Sequence, residues 1–420
     1  MLEDLTDELN SFLQKWGCPE HIFAKVAIGE NLKASDLEGL PADYMVICDD
    51  NLSSLASTLF PPARIISLGS NIVADLKLAE YLIEKFNDRT LIAFGSGTIN
   101  DLCKYASFKM KRQYFLFPTA ASMNGYFSAY ASLKVDKLNK SLKAHLPKYV
   151  YVDLSVLRNA PERLLYSGLG DLFCSINTHL EWYFTSFLNE NGYREELLRH
   201  IEYHEDQLLD GLDLQNITGL KWAQLIKLIF YSGLAMTIAG SSSPASASEH
   251  LFTHGFDLLY PDVASQLLHG EKVAYFTQLS LKIWGELTRI DDLFLKLDEG
   301  RLGLMFNEAN KLCFGFVSSE EIQKNYEQKR HKLREIKKFT NIKKTSWHIL
   351  RSHVISALGN SNYYSRVKIL TIVVARLELK LLSNFRVENA IKISPFIRDR
   401  LTIADLYVLT ACKIENLVQG

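Results

Sequence analysis

Cysteine is scarce and scattered. The 420 residues hold six (Cys18, Cys48, Cys103, Cys174, Cys313 and Cys412), with no CxxC pair and no dense framework. That excludes a disulfide scaffold and leads us to expect reduced, mostly buried thiols and a cytoplasmic location. An excess of one charge sign is also missing. A formal net charge of −1 rules out bulk attraction to nucleic acid or acidic lipid. The opening stretch MLEDLTDELNSFLQKWGC lacks a basic segment leading into an apolar one, so no signal peptide is expected. The most apolar run, LIFYSGLAMTIAG, falls short of the roughly 20 residues a membrane helix needs, so no membrane span is expected either. Prolines number only ten, and neither an internal repeat nor a low-complexity tract is present.

What remains is the composition of a globular protein, 47% hydrophobic and 23% charged, long enough for two or three domains. Four short apolar runs occupy the first part: YMVICDD (44–50), ARIISLG (63–69), TLIAFGSG (90–97) and YFLFPTAAS (114–122), with KYVYVDLSVL (148–157) as a last strand. Amphipathic stretches such as NIVADLKLAEYLIEKF separate them. Strand–helix alternation of this kind predicts parallel βαβ units with right-handed crossovers. After RNAPERLL the pattern becomes helical, with apolar residues at three- and four-residue intervals. The expected division is therefore 1–158, an α/β Rossmann-like parallel-sheet domain, and 159–420, an all-α domain. Pro161 suits the first turn of the next helix. The segment 324–344 carries nine Lys/Arg against Glu327 and Glu335 and reads as a solvated helix face, since aromatics for base stacking are sparse there.

AFGSGTIND puts Gly95 and Gly97 where a strand ends and a helix begins. Glycines there let the backbone turn sharply and approach an oxyanion, while the helix start offers free N–H groups. A structural turn explains the glycines as well as a pyrophosphate site does, because the GxGxxG spacing is absent. The next strand also ends in small polar residues, PTAASMNGYFS, so two neighbouring strand ends point to one crevice outside the sheet.

Three polar motifs stand in apolar or small-residue settings of the helical half. GLGDLF offers Asp171 at the start of an apolar helix, SASEHLFTH offers His250 and His254, and LLHGEKVA offers His269. One carboxylate and two imidazoles with an open position form a catalytic metal's donor set. Singly, each has a simpler role: Asp171 a helix cap, each histidine a hydrogen-bonded core residue. His200 and His204 share the spacing of His250 and His254 but stand among Arg199, Glu202, Glu205 and Asp206, which reads as a solvated surface helix.

The stretches GSGTINDLCKYAS, FPTAASMNGY, GLGDL, GLAMTIAGSSSPASASEHLFTH, LHGEKVA and IRDRLTIADL resemble, in order, the sn-glycerol-1-phosphate dehydrogenases. These belong to the superfamily of iron-containing alcohol dehydrogenases, glycerol dehydrogenases and dehydroquinate synthases. The resemblance implies a dehydroquinate synthase-like fold with the active site in the cleft between its domains. It implies reversible hydride transfer between NAD or NADP and a small phosphorylated substrate, dihydroxyacetone phosphate, giving sn-glycerol 1-phosphate. Asp171, His250 and His269 would hold a divalent metal, usually zinc, with Asp171 also facing substrate and His254 contacting it. Gly95, Ser96, Gly97, Thr98, Ile99, Thr119, Ala120, Ala121, Ser122 and Ser128 would line the cofactor. Asp49 would read the adenosine ribose and tilt the preference to NAD, because its carboxylate repels a 2′-phosphate. A homo-oligomer is the family expectation. The chain departs from the family at Asn124, where an aspartate that contacts substrate is usual. Asn hydrogen-bonds a hydroxyl but cannot take a proton, which implies an altered substrate, a slower enzyme or a fold that has lost its activity.

Overall fold

The structure, a computed structural model, describes residues 2–136, 138–186, 193–291, 293, 299–313, 319–338, 340–376, 385–398 and 400–409. Cys412 and residue 339 of the basic segment lie outside these. The chain forms two compact units that interleave along the sequence: 1–135, 139–168 and 199–241 make the first, and 136–138, 169–198 and 242–420 the second. The last strand of the sheet ends at residue 153, just before the 158/159 division expected from the sequence, but the first unit also takes in residues beyond that division.

The first unit is built on β1 (Glu3–Asp4), β2 (Lys25–Gly29), β3 (Tyr44–Cys48), β4 (Ile65–Ser67), β5 (Thr90–Gly95), β6 (Tyr114–Pro118) and β9 (Tyr149–Asp153). Their order across the sheet is β1-β2-β9-β6-β5-β3-β4, parallel throughout except for the antiparallel β1 edge. Every residue of β5 and β6 is buried, which is why both read as unbroken apolar runs, the mark of a parallel strand covered on both faces. Phe94 and Phe117 pack ring to ring at 4.8 Å. The chain runs from β3 outward to β4, then returns to the other side of β3 as β5. This reversal of strand order opens a crevice at the carboxyl ends of β3 and β5.

Helices α1 (Thr6–Lys15), α2 (Ser53–Leu59), α3 (Leu76–Phe86), α4 (Gly97–Lys109) and α5 (Leu154–Asn159) belong to this unit, as does, apart from Leu138, a hairpin, β7 (Tyr130–Val135) with β8 (Leu138–Lys143). Helix α6 (Glu162–Phe173) runs on into the second unit, α7 is Ser175–Ser186, and α8 (Glu195–Leu209) crosses back. Next comes α9 (Gly219–Ala239), opened by Thr218, whose hydroxyl accepts from Lys221 N–H, and closed by Gly240 at φ +64°. With 21 residues and a mean hydropathy of 1.3 it has the length and composition to cross a membrane, yet 67% of its apolar window is buried. A Cβ on its Gly233 would stand 2.8 Å from the Phe127 backbone, so this helix is a core element of the first unit.

The second unit contains α10 (Ser248–Leu259), α11 (Pro261–Ala264), α12 (His269–Leu287), α13 (Glu299–Leu312), α14 (Ser319–Lys338), α15 (Thr340–Leu358), α16 (Ser361–Ala375), α17 (Val387–Ile397) and α18 (Ile403–Leu409). Among the described residues its elements are all helices apart from the start of β8. Two close backbone approaches organise it. A Cβ on Gly255 of α10 would lie 2.8 Å from the Ala390 carbonyl of α17, and one on Gly170 of α6 would lie 2.2 Å from the Gly270 carbonyl of α12. Within the basic segment Lys329 is fully buried and pairs with Asp405 at 2.6 Å, so not all of that helix's charge is solvated.

Candidate functional site

Asp171 lies in the last turn of α6, not at a helix start, and α7 follows at once. His250 is in the first turn of α10, His254 one turn further on, and His269 opens α12. These elements draw residues distant in sequence together: one ligand atom each from Asp171, His250 and His269 lies within 4.8 Å of the others. His250 Nε2 stands 3.2 Å from Asp171 Oδ1, and His269 Nε2 stands 3.7 Å from the same oxygen. Asp171 and His250 are buried, whereas His269 exposes 42% of its side chain, leaving the cluster one open side.

The hydrogen bonds around His250 test whether this set fits a cation. Glu249 Oε1 is 2.6 Å from His250 Nδ1. The same oxygen accepts the Ala247 N–H at 2.6 Å, so the carboxylate acts as acceptor and Nδ1 as donor. The lone pair of Nε2 then faces the anionic Asp171 Oδ1, and a positive centre must lie between them. A proton is one such centre. Burial works against it, but hydrogen bonds to Asp171 and Glu249 outweigh burial and raise the His250 pKa to about 9. A divalent ion held by one carboxylate and two imidazoles is the other. The residues present fit a metal.

His254 is buried, its ring centroid 6.4 Å from that of His250 and 6.1 Å from that of His269. Burial first, then the Arg398 guanidinium, push its pKa well below the ordinary value. It is a neutral imidazole, able to donate or accept one hydrogen bond to a bound hydroxyl.

In the first unit, the residues expected to hold a dinucleotide cluster at the carboxyl ends of three adjacent strands. Asp49 follows β3, Ser96 to Ile99 follow Gly95 at the end of β5, and Thr119 to Ser122 follow β6. Thr119 N–H donates to Gly95 O at 3.1 Å, tying the last two ends together. Among the described residues, the backbone N–H groups of Gly97, Thr98 and Ile99 at the start of α4 have no hydrogen-bond acceptor. Three free donors at a helix start, next to glycines without Cβ, suit a phosphate group. The Asp49 carboxylate accepts from Leu52 N–H at 3.2 Å and so also caps its own turn.

Asn124 and Ser128 bracket the short turn Gly125–Phe127 beyond β6, and both are buried. That turn is held from below by Lys104 of α4. Its buried ammonium donates to Gly125 O at 2.8 Å and Tyr130 O at 3.1 Å, and pairs with Asp101 at 3.2 Å.

The structure departs from the sequence reading at His200 and His204. They are half-buried rather than solvated. His204 stacks on Tyr231 with centroids 4.3 Å apart, and His200 stacks on Phe12 at 4.6 Å. The charged neighbours misled because Arg199 and Tyr203 take the exposed face of α8, while residues four apart share its inner stripe.

Sequence reasoning also missed a buried carboxylate pair behind His250. Glu181 of α7 and Glu249 both hydrogen-bond Asn177 Nδ2. Glu181 also accepts from Ser248 N–H at 3.1 Å and Ile403 N–H at 3.2 Å. Burial and the neighbouring Glu249 raise its pKa to about 7. The SASEH motif contained Glu249, but nothing in its spacing marked the residue out.

Residues 63–161 match the family model described as iron-containing alcohol dehydrogenase. The chain is 35% identical over 219 residues to glycerol-1-phosphate dehydrogenase (NAD(P)+) of Pyrococcus horikoshii, a match covering 50% of this chain and 62% of that protein. It is 36% identical over 199 residues to the enzyme of the same name from Sulfurisphaera tokodaii, covering 47% and 55%. The chain thus matches less than two thirds of the length of these relatives. Its fold is like that of the archaeal halo-thermophilic alcohol dehydrogenase ADH/D1 from a Red Sea brine pool, with a TM-score of 0.51 at 14% identity over 97% of this chain and 94% of that one. About half of the chain is thus similar to proteins named glycerol-1-phosphate dehydrogenase, its fold is like that of an alcohol dehydrogenase, and residues 63–161 carry the pattern described as iron-containing alcohol dehydrogenase.

Proposed function

We propose that this protein is an NAD(P)- and metal-dependent oxidoreductase that reversibly reduces dihydroxyacetone phosphate to sn-glycerol 1-phosphate. The observation that carries the reading is the convergence of Asp171, His250 and His269, ligand atoms within 4.8 Å, in a chain homologous to enzymes named for that activity. These three residues would hold a divalent ion, zinc first, which supplies Lewis acidity toward a carbonyl oxygen. Asp171 also faces substrate, and His254, neutral and buried, offers a hydrogen bond to a substrate hydroxyl. The free N–H groups of residues 97–99 hold the pyrophosphate, and Thr119 to Ser122 with Ser128 line the rest of the dinucleotide. Asp49 favours NAD over NADP. The exposed side of His269 leaves room for a small ligand at the ion. A cytoplasmic location and a homo-oligomeric assembly belong to the same proposal.

One feature favours a second reading. Asn124 cannot take a proton or carry charge, and this points to another polyol or sugar phosphate, or to an impaired relative. The experiment is kinetic. Zinc-loaded protein should oxidise NADH when given dihydroxyacetone phosphate, at a rate well above a His250→Ala control; equal rates would refute the first reading. The same assay over a panel of phosphorylated ketoses and polyols, with Asn124→Asp alongside, separates the two. A preference for dihydroxyacetone phosphate that appears only in Asn124→Asp supports the second.

A further inference from the structure

Neighbouring residues on a helix point about 100° apart and do not ordinarily touch. Glu249 and His250 do, at 2.6 Å between Oε1 and Nδ1. The cause lies at the start of α10. Ala247, the residue before the helix, has φ −137° and ψ −140°, which turns its N–H back toward the first turn, where Glu249 Oε1 accepts it at 2.6 Å. The other carboxylate oxygen is held by Asn177 Nδ2. Asn177 is fully buried, and its own oxygen accepts from Trp284 Nε1 of α12 at 3.0 Å. Its amide also donates to Glu181 Oε1 at 2.9 Å. Ser248 adds a brace, its hydroxyl lying 3.0 Å from that of Ser280 on α12. Three helices (α7, α10 and α12) therefore clamp one carboxylate that is itself fully buried, and the cost of burying its charge is offset by these hydrogen bonds and by a positive partner.

We propose that Glu249 is the positioning residue of the metal centre, holding the Nδ1–H of His250 so that the Nε2 lone pair is aimed, in one tautomer and one ring orientation, at the cation shared with Asp171 and His269. Its negative charge adds to that of Asp171, so the two carboxylates together balance a dication in a buried setting. Asn177 sets the direction of the carboxylate, and Trp284 sets the direction of Asn177. The inference rests on the metal reading of the Asp171/His250/His269 cluster and adds a residue that touches neither metal nor substrate. Removing such a carboxylate typically costs about 10- to 100-fold in metal affinity.

The test is a metal titration rather than an activity assay. Apo protein is titrated with Co²⁺, followed by its visible absorption, and with Zn²⁺ against a chromophoric chelator, for wild type, Glu249→Gln and Glu249→Asp. Gln keeps an acceptor for the Ala247 N–H but removes the charge. It should weaken binding by about 10- to 100-fold and alter the Co²⁺ spectrum, because a neutral amide oxygen holds the Nδ1–H less strongly and leaves Nε2 a weaker donor. Asp keeps the charge but withdraws it by one methylene, and should recover part of the loss. Should the Gln variant fail to fold, Asp carries the test through an intermediate affinity and a shifted Co²⁺ absorption. A purely structural role would lower the apo melting temperature and leave affinity and spectrum of the folded variants as in wild type, and that result overturns the proposal while the metal reading stands. Wild-type protein that takes up neither ion removes both together.

Discussion

Gly170 and Gly270 stand next to two of the three proposed metal ligands, Asp171 and His269, and the approach of α6 to α12 happens at these glycines. A Cβ on Gly170 would sit 2.2 Å from the Gly270 carbonyl oxygen, 3.0 Å from its carbon and 3.0 Å from Ala274 Cβ. Carbon and carbonyl oxygen do not ordinarily come nearer than about 3.3 Å, so Gly170→Ala forces the two backbones apart by roughly 1 Å. The Gly270 atoms are backbone and the Ala274 Cβ is fixed to its own backbone, with no flexible side chain to give way, so relaxation is costly; overpacking of this kind destabilises by about 1–3 kcal/mol. The site is hit harder than the fold. Metal–ligand distances tolerate about ±0.2 Å, well below the displacement, and Asp171 is carried with Gly170 while His269 is carried with Gly270. Zn²⁺ affinity should therefore fall by at least about tenfold, measured by competition with a chelator on protein shown to be folded by its melting profile. Gly285 supplies the control. It lies on the same α12 with nothing within 4 Å of its missing Cβ, so Gly285→Ala should leave metal affinity alone and raise stability by about 0.5–1 kcal/mol. A Gly170→Ala protein that binds Zn²⁺ like wild type would refute the claim that this close approach sets the ligand geometry.

Further outcomes follow from the same geometry. Lys104→Met removes the cation paired with the buried Asp101 carboxylate, which keeps only the Ser132 N–H and Asn100 amide donors, and takes one donor from the Gly125 and Tyr130 carbonyls. It should cost about 3–5 kcal/mol, read as a lower melting temperature, together with weaker NADH binding because the turn before Ser128 loosens. His145 and His204 have pKa values pushed down to about 4, chiefly by burial, against about 6.5 in an unfolded chain. The unfolded state binds more protons in that window, so stability is complete above about pH 6.5 and declines as pH falls toward 4. Melting temperatures at pH 7.5 and 5.5 read this decline, and His204→Phe, which keeps the ring against Tyr231, should reduce it. Asp49→Ser keeps a cap for Leu52 N–H while removing the charge that repels a 2′-phosphate. The ratio of NADPH to NADH affinity should rise; an unchanged ratio would remove Asp49 from the cofactor reading.

The strands legible in the sequence were those whose burial leaves no polar face. YMVIC, TLIAFG and YFLFP were readable because β3, β5 and β6 lie inside the parallel sheet. Strand β2 was missed because KVAIG has only three consecutive apolar residues between a lysine and a glycine, and β8 because LNKSLK has mostly half-exposed polar residues. The apolar run in α9 underestimated that helix, since its first turn begins with Gly219, Leu220 and Lys221 rather than a buried stretch. At the site, spacing could place His250 and His254 on one helix but not Asp171, 79 residues away from His250; its apolar setting offered it as a donor, and the resemblance to a family assigned it the role. Glu249 escaped both approaches, because its contact with the adjacent histidine depends on an irregular residue before α10 that no periodicity reveals. The charges around His200 and His204 suggested solvent, yet a half-buried helix shows charge on one side and aromatic packing on the other.

Metal content and turnover measured on one preparation test the central claim most directly. The account predicts close to one divalent ion per chain in protein loaded with Zn²⁺, lost in His250→Ala, with NADH oxidised on addition of dihydroxyacetone phosphate only by the metal-bound wild type. Full turnover in protein stripped of metal, or in His250→Ala, would contradict it.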